Sequence, residues 1–320
     1  MIKIPLSTAI SSTIELSKVM IPPMFIGFFI AAVIRGSAFF RYLSLPTVRL
    51  ASAANLPTEC STALTLFLVN SWTALAVLSE MHKKTKTINN NELIITVLVG
   101  SIPKIINSTI FYFAPVAISV LGLYAGGLYL CLDISANLFV ALIGIFFGRL
   151  MLTGNASKPV EDYKQDSEKI NITKIKNGLK ESLHSSVRIV KILIPTVFIT
   201  QLIANYLLVK PIIQEYSSVL GSIGFPSSSL IVLFASLVSQ SAAIVSSGTL
   251  LNGGEVSIKA CLMLLFIARI LHLGIGFLKG DIPINVSYFG GKIGLKVAVY
   301  QYVLIAIAYS LVILFIYIHL

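Results

Sequence analysis

The sequence predicts an all-α, polytopic helical integral membrane protein built from two inverted repeats, and three observations carry that expectation. The 320 residues are 56% hydrophobic and 12% charged, with a mean hydropathy of +0.90, against about 25% charged residues in ordinary soluble domains. Several apolar runs reach the roughly 20 residues needed to cross about 30 Å of hydrocarbon, and no alternating ten-residue strands suggest a barrel. The third observation is an internal repeat. The pattern P-x3-S-x2-G-x3-G reads Pro115, Ser119, Gly122, Gly126 and again Pro283, Ser287, Gly290, Gly294, at a constant offset of 168 residues.

Three further blocks keep the same order. "KVMIPPMFIGFFIA" from Lys18 matches "KILIPTVFITQLIA" from Lys191, and "NLPTECS" from Asn55 falls where "GFPSSS" from Gly224 falls later. "SIPKIIN" from Ser101 lies against "FIARILH" from Phe266, which sets Lys104 opposite Arg269 and Asn107 opposite His272. The expected organisation is an N-terminal segment 1–13, a membrane repeat 14–150, a polar linker 151–186 and a second repeat 187–320.

Each copy opens with an apolar run (14–35; 187–209) and continues through a Pro-containing re-entrant helical hairpin (38–80; 211–250). A broken run (92–121; 257–290) and a last run (122–150; 295–318) follow, giving about three spanning helices per copy, one of them broken. The first run has a later counterpart and no small-residue cleavage site, so it is expected to be retained.

The hairpin region decides the relative direction of the copies. Its front half, with Arg41, Pro46 and Arg49, makes a poor spanning helix. If it is an outside loop, each copy spans four times and the copies are parallel; if it belongs to a re-entrant hairpin, they are inverted. The inverted arrangement leaves Lys3, Lys18, Lys210 and Lys259 as the outer cations, whereas the parallel one places Arg35, Arg41, Arg49, Lys210, Lys279, Lys292 and Lys296 outside. Cations collect on the cytoplasmic side, so the inverted arrangement is favoured, in a cell membrane, with a cytoplasmic linker and both termini extracellular.

The same rule accounts for the net charge of +11; no basic run interleaved with aromatics points to nucleic acid. Cys60, Cys131 and Cys261 are widely spaced and read as packing residues, not as a disulfide framework or a metal site. No H-E-x-x-H, G-x-S-x-G or convincing carboxylate pair points to an enzyme.

Inverted repeats with discontinuous helices are the usual build of secondary transporters, because irregular backbone at membrane depth must be buried in protein or line water. The paired Leu56-Pro57 and Phe225-Pro226 tips, with the twice-used small-residue motif, resemble the nucleoside-recognition (Gate) family of membrane proteins. That family is related to concentrative nucleoside transporters and to the membrane part of ferrous-iron permease B. The resemblance covers nearly all of the chain except the linker. It implies hairpin tips at Asn55, Thr58, Glu59, Ser227, Ser228 and Ser229, and broken-helix positions at Ser119, Asn285 and Ser287, meeting around a substrate. Two departures stand out: no GTPase domain is attached, and Asn285 and Ser287 stand where an acidic nucleoside ligand is expected.

Other polar groups in apolar runs complete the candidate set. Glu59 is a substrate or proton-coupling carboxylate, or else a helix N-terminal anion. Asp133, with Asn137 one turn later, is a coupling-ion ligand or the buried partner of Lys104 or Arg269. Lys104 and Arg269 serve an anionic substrate or stitch the copies together, and His272 titrates near neutrality or simply hydrogen-bonds. Asn70, Ser71, Ser239, Gln240 and Ser241 mark polar patches in the hairpin back arms that bind solute or glue helices. The expected activity is transport of a small polar solute, nucleoside-like or otherwise, with no cofactor beyond H+ or Na+ as coupling ion. The alternatives are a divalent-metal permease using Glu59, Cys60 and Asp133, and a non-transporting scaffold or partner subunit. The lipid bilayer is the expected partner, and a homo-oligomer is left open.

Overall fold

In a computed structural model of the chain, the described residues are 38–68, 71–83, 85–152 and 225–320, with a few isolated positions besides. The expected first runs 14–35 and 187–209, most of the linker and the front of the second hairpin region lie outside them. Every regular element among the described residues is helical. Three stretches are long and apolar enough to cross a membrane, namely Asn90–Met151, Ile258–Gly276 and Gly291–His319. The fold therefore fits a helical membrane protein.

In chain order the elements are α1 (Ala38–Ala53), α2 (Thr58–Phe67), α3 (Ser71–Lys83), α4 (Asn90–Val99), α5 (Ser101–Ile105), a π-helical stretch (Ile106–Phe113) and α6 (Ala114–Met151). After the linker come α7 (Ser229–Val238), α8 (Gln240–Asn252), α9 (Ile258–Gly276), a second π-helical stretch (Phe277–Asp281), α10 (Ile282–Phe289) and α11 (Gly291–His319). Local chemistry sets their ends. Asn89 caps α4 in a reciprocal box, accepting from Asn91 N and Glu92 N at 2.9 Å while its own N–H reaches Glu92 Oε2 at 2.7 Å. Ser257 caps α9 by accepting from Ala260 N at 3.2 Å. Both π-helical stretches end just before Ala114-Pro115 and Ile282-Pro283. A proline has no N–H for the i−4 carbonyl, so the ladder widens ahead of it.

The small-residue motif is not an interruption within one spanning helix. Gly122 sits at φ 78°, ψ 171° and Gly290 at φ 85°, ψ 165°, a left-handed region open to glycine. A Cβ on Gly126 would collide with the Ala117 carbonyl and Ile118 Cα, and one on Gly294 with Asn285 and Val286. Residues nine apart in a straight helix are separated by about 14 Å, so the chain folds back on itself at both glycines. The second small residue of each pair lets the returning helix pack directly on backbone. The run 90–151 is thus two legs, each longer than one crossing requires.

The hairpin tips also differ from expectation. Pro57 and Pro226 stand ahead of α2 and α7, where a residue without an N–H fits a helix start, and Asn55 (φ 52°) terminates α1. The turns lie one helix later. Ser239 alone, extended at φ −162°, ψ 152°, joins α7 to α8, and α7 packs side by side with α8. Ser228 Oγ donates to Glu255 Oε2 at 2.6 Å, tying the start of α7 to the loop after α8, so the pair is antiparallel. α2 packs on α3 in the same way, with equal lengths: 10 residues in α2 and α7, 13 in α3 and α8.

Two apolar clusters hold the bundle. One gathers Leu56, Cys60, Leu64, Leu78, Ile88, Leu152 and Phe289; the other gathers Val120, Leu121, Tyr129, Phe225, Val256, Phe266, Tyr309 and Ile316. The leg of α6 after Gly122 runs on to Met151, about 43 Å at 1.5 Å per residue, with Leu121 just before it and Leu152 just after it. It therefore sets Leu121 of one cluster and Leu152 of the other toward opposite ends.

Candidate functional site

The two halves grip each other reciprocally. Ser79 Oγ, on the back arm of the first hairpin, donates to Tyr288 O at 2.5 Å. Asn252 Nδ2, on the back arm of the second, donates to Val120 O at 3.1 Å, and Gly248 presses on the Val120 side chain and carbonyl. Each back arm thus meets the residue two positions before the fold-back glycine of the other half.

Between these grips lies a buried polar centre. Asp133 is 1% exposed on α6. Tyr309, from α11, donates to its Oδ1 at 2.7 Å, and Thr109, from the first π-helical stretch, donates to its Oδ2 at 2.5 Å. Arg269 Nη2, from α9, stands 3.8 Å from Asp133 Oδ1, and its Nε–H reaches Tyr309 Oη at 3.4 Å. The guanidinium lies over the Phe113 ring at 4.6 Å. Asn137 Nδ2 donates to Asp133 O at 2.8 Å and to Tyr309 Oη at 3.4 Å. Tyr129, Phe266 and Tyr309 form a row of mutually tilted rings beside it. The charge of Arg269 is neutralised, and the hydroxyls satisfy both Asp133 oxygens, as a buried carboxylate requires. In this arrangement Asp133 is the partner of Arg269, not of Lys104, whose side chain is exposed on α5.

The second hairpin turn borders this centre. Gln240 Nε2 donates to Tyr129 Oη at 3.2 Å, and Ser239 Oγ caps α8 by accepting from Ala242 N at 3.1 Å. His272 Nδ1 meets Ser236 O at 2.7 Å near the end of α7, which makes Nδ1 the protonated nitrogen. Four buried side-chain atoms among the described residues lack a partner: Ser229 Oγ, Gln240 Oε1, Ser241 Oγ and Asn285 Oδ1.

The remaining expected site residues are dispersed. Asn55 Nδ2 reaches Leu152 O at 3.4 Å; Thr58 and the exposed Glu59 open α2, and Ser71 opens α3. Asn70 lies outside the described residues. Ser227 and Ser228 precede α7 at the opposite cluster, beside Phe225. Ser119 and Ser287 each donate to their own helix, to Val116 O at 2.9 Å and Ile284 O at 2.8 Å, and Asn285 Nδ2 donates to Asp281 O at 2.8 Å. The expected convergence of both proline tips with Ser119, Asn285 and Ser287 is therefore not formed, because the motif builds fold-backs and the prolines start helices. Thr109, Tyr129 and Tyr309 were missed. Tyr309 stands where the first copy has Ala141, so the repeat carried no signal for it.

Among the described residues no group of three or more His, Cys, Asp or Glu side chains converges, so the divalent-metal alternative finds no ligand set there. Cys60 is buried and Cys131 is exposed on α6.

No protein-family model matches the sequence. The chain is similar to two uncharacterized proteins of the archaeon Methanocaldococcus jannaschii. It is 28% identical to MJ0880 over 284 residues, covering 87% of this chain and 89% of that protein. It is 29% identical to MJ0871 over 232 residues, covering 69% of this chain and 68% of that protein. No solved structure matches.

Proposed function

We propose that the chain is a secondary transporter of a small polar solute, coupled to H+ or Na+, in which two inverted copies alternate access around the buried centre. The observation that carries this reading is the reciprocal grip. The first back arm meets Tyr288 in the end cluster of Leu56, Leu152 and Phe289, while the second meets Val120 in the cluster at the other end of α6. α4 departs from the loop after α3, and α9 from the loop after α8, so equivalent helices start from opposite ends. That is the geometry expected of copies related by a two-fold axis in the membrane plane.

In this reading the end bearing Lys83, Arg149, Lys292 and Lys296 faces the cytoplasm, and the end bearing Lys259 and Leu320 faces outward. The Gate-type resemblance points the solute toward nucleoside-like compounds. Flux of radiolabelled solutes into liposomes holding the purified protein, with imposed H+ or Na+ gradients, tests the proposal. Gradient-driven uptake of one polar solute class supports it.

A second reading has its own observation. The oxygens of Asp133 are already taken by Tyr309 and Thr109, an arrangement suited to a structural core in a non-transporting partner subunit. Vesicles inert to a broad solute panel, with the protein folded, would favour that reading.

A further inference from the structure

Two opposite charges, one from each half, face each other outside the buried centre. Lys104 lies on α5, and Asp281 closes the second π-helical stretch. Both side chains are exposed, and Asp281 lies within electrostatic reach of Lys104. Each belongs to a leg, 90–121 or 258–289, of about 48 Å at 1.5 Å per residue. A hydrocarbon layer of about 30 Å centred on these legs takes in both residues.

The repeat leads to the same pairing by a separate route. Phe113 and Asp281 each stand two residues before a motif proline, Pro115 or Pro283, and Lys104 is the counterpart of Arg269. The Arg269 guanidinium lies over the Phe113 ring at 4.6 Å. In a two-fold arrangement of the copies, the equivalent contact sets Lys104 against Asp281. The two junctions differ in their state. Arg269 is 8% exposed and engaged by Asp133 and Tyr309, so its junction is closed. Among the described residues the contact ion pair is Arg269 with Asp133; Lys104 and Asp281 stand apart and exposed, so theirs is open.

Lipid does not accommodate such a pair. Charged side chains in spanning segments face a bundle interior or a water-filled cavity. A lysine stem can carry its ammonium toward an interface, but Asp281 has a single methylene and stays near the depth of its backbone. One turn further, Asn285 is 2% exposed and donates from Nδ2 to Asp281 O at 2.8 Å. Its Oδ1 has no protein partner, which suits a neighbouring water. The nearer mouth is the end of Leu56, Leu152 and Phe289, because Gly290 is about 13 Å beyond Asp281 and Ile258 about 35 Å before it.

We propose that the junction of α5 with the second π-helical stretch is a water-filled vestibule, open toward the end bearing Lys83 and Lys292, with Lys104 and Asp281 as its opposed charged walls. The vestibule follows from the placement of the chain in a membrane. Its role as the solute entrance rests on the transporter reading.

The test uses the full chain in membrane vesicles, in a Cys131→Ser background, since Cys131 is exposed whereas Cys60 and Cys261 are buried. Lys104→Cys and Asp281→Cys are treated with membrane-impermeant methanethiosulfonates, one cationic (ethyltrimethylammonium) and one anionic (ethylsulfonate). Both positions are expected to react in inverted vesicles. Leu278→Cys, at a position 66% exposed on the same stretch, is expected to react at least about tenfold more slowly, because a thiol in lipid does not ionise to its reactive thiolate. Ser108 donates to Lys104 O at 2.9 Å; Ser108→Cys keeps both charges, is expected to react as well, and stands in where loss of a charge prevents folding. Relative to a small free thiol, the cationic reagent is favoured about threefold at Lys104→Cys and the anionic one about threefold at Asp281→Cys, as expected for a remaining charge about 7 Å away in water. Asp281→Asn added to Lys104→Cys removes the preference.

No reaction at positions 104, 108 and 281, in protein that labels once dissolved in SDS, overturns the vestibule. Reaction only in right-side-out vesicles, or equal reaction at Leu278→Cys, overturns it too. The same reagent preference at Lys104→Cys and Asp281→Cys overturns the opposed walls. Solute flux in liposomes separates these outcomes from the broader reading. Gradient-driven uptake with all three positions unlabelled removes the vestibule and keeps the transporter; labelling without uptake of any solute keeps the vestibule and removes its role as a solute entrance.

Discussion

Ser79 and Tyr288 lie 209 positions apart in sequence, yet the Ser79 hydroxyl donates to the Tyr288 carbonyl at 2.5 Å. Its counterpart in the other half uses a different device. There Asn252 donates to Val120 O, and Gly248 admits the Val120 side chain against the helix backbone. One relationship is held by a hydroxyl bond and its twin by an amide bond together with a close approach, which makes the two separable by mutation.

Ser79→Ala is expected to lower stability by about 1 kcal/mol, the typical worth of one such bond. Gly248→Ala acts by steric overlap: its Cβ meets Val120 atoms, at a cost of about 1–3 kcal/mol. Urea or thermal melts in detergent check both. No loss of stability from either substitution would argue against the assigned contact.

The Asp133–Arg269 centre predicts a cycle. Arg269→Met or Asp133→Leu alone leaves one buried charge without its partner and is expected to cost about 3–5 kcal/mol. The double variant is expected to recover most of that loss, since apolar pairs of similar volume often replace buried ion pairs. Additive losses in the double variant would show that the two residues act independently.

Tyr309→Phe removes a 2.7 Å donor to a buried carboxylate. Bonds to charged groups are worth about 1.5–3 kcal/mol, so the loss should exceed that of Ser119→Ala, whose hydroxyl serves only its own helix. The comparison of the two melts is the measurement.

The fold-backs predict a ranking of glycines. Gly122→Ala and Gly290→Ala meet no neighbouring atom but force a left-handed backbone, at about 1–2 kcal/mol each. Gly126→Ala and Gly294→Ala drive a methyl into backbone and should be worse, because backbone cannot swing aside. Gly127→Ala, with open space and no positive φ, is the neutral control.

The proposed inverted arrangement predicts opposite exposure of equivalent loops. Cysteines introduced at Thr87 and at Gly254 should react with a membrane-impermeant maleimide from opposite faces of sealed vesicles. The Gly254 position is expected to label from outside. Labelling of both from one face would sink the inverted arrangement.

Much of the architecture was legible because its signals are local. A run of apolar residues predicts a helix that can cross lipid whatever its neighbours are. The paired Pro115 and Pro283 mark the two changes of helix geometry by their own chemistry. The fold-back sites were located as well, but their meaning was misjudged: Pro, Ser and Gly in one stretch fit a broken helix and a reversed one equally. The contact of Gly126 with Ala117 separates the two, and sequence does not contain it. In the same way Pro57 and Pro226 fit a hairpin tip or a helix start. The tie between Ser228 and Glu255 places the second turn at Ser239.

By itself, the sequence determined the helical class, the apolar runs 92–121, 122–150, 257–290 and 295–318 to within a few residues at most ends, and the twofold use of one small-residue motif, since each depends on composition and short-range spacing. Tertiary structure alone decided which polar groups meet. Asp133 carries nothing in its neighbourhood to choose Arg269 over Lys104; the packing of α6 against α11 and α9 chose, and brought Tyr309 and Thr109 with it. A buried charge must find partners, but helices fixed about 10 Å apart by side-chain packing determine who those partners are.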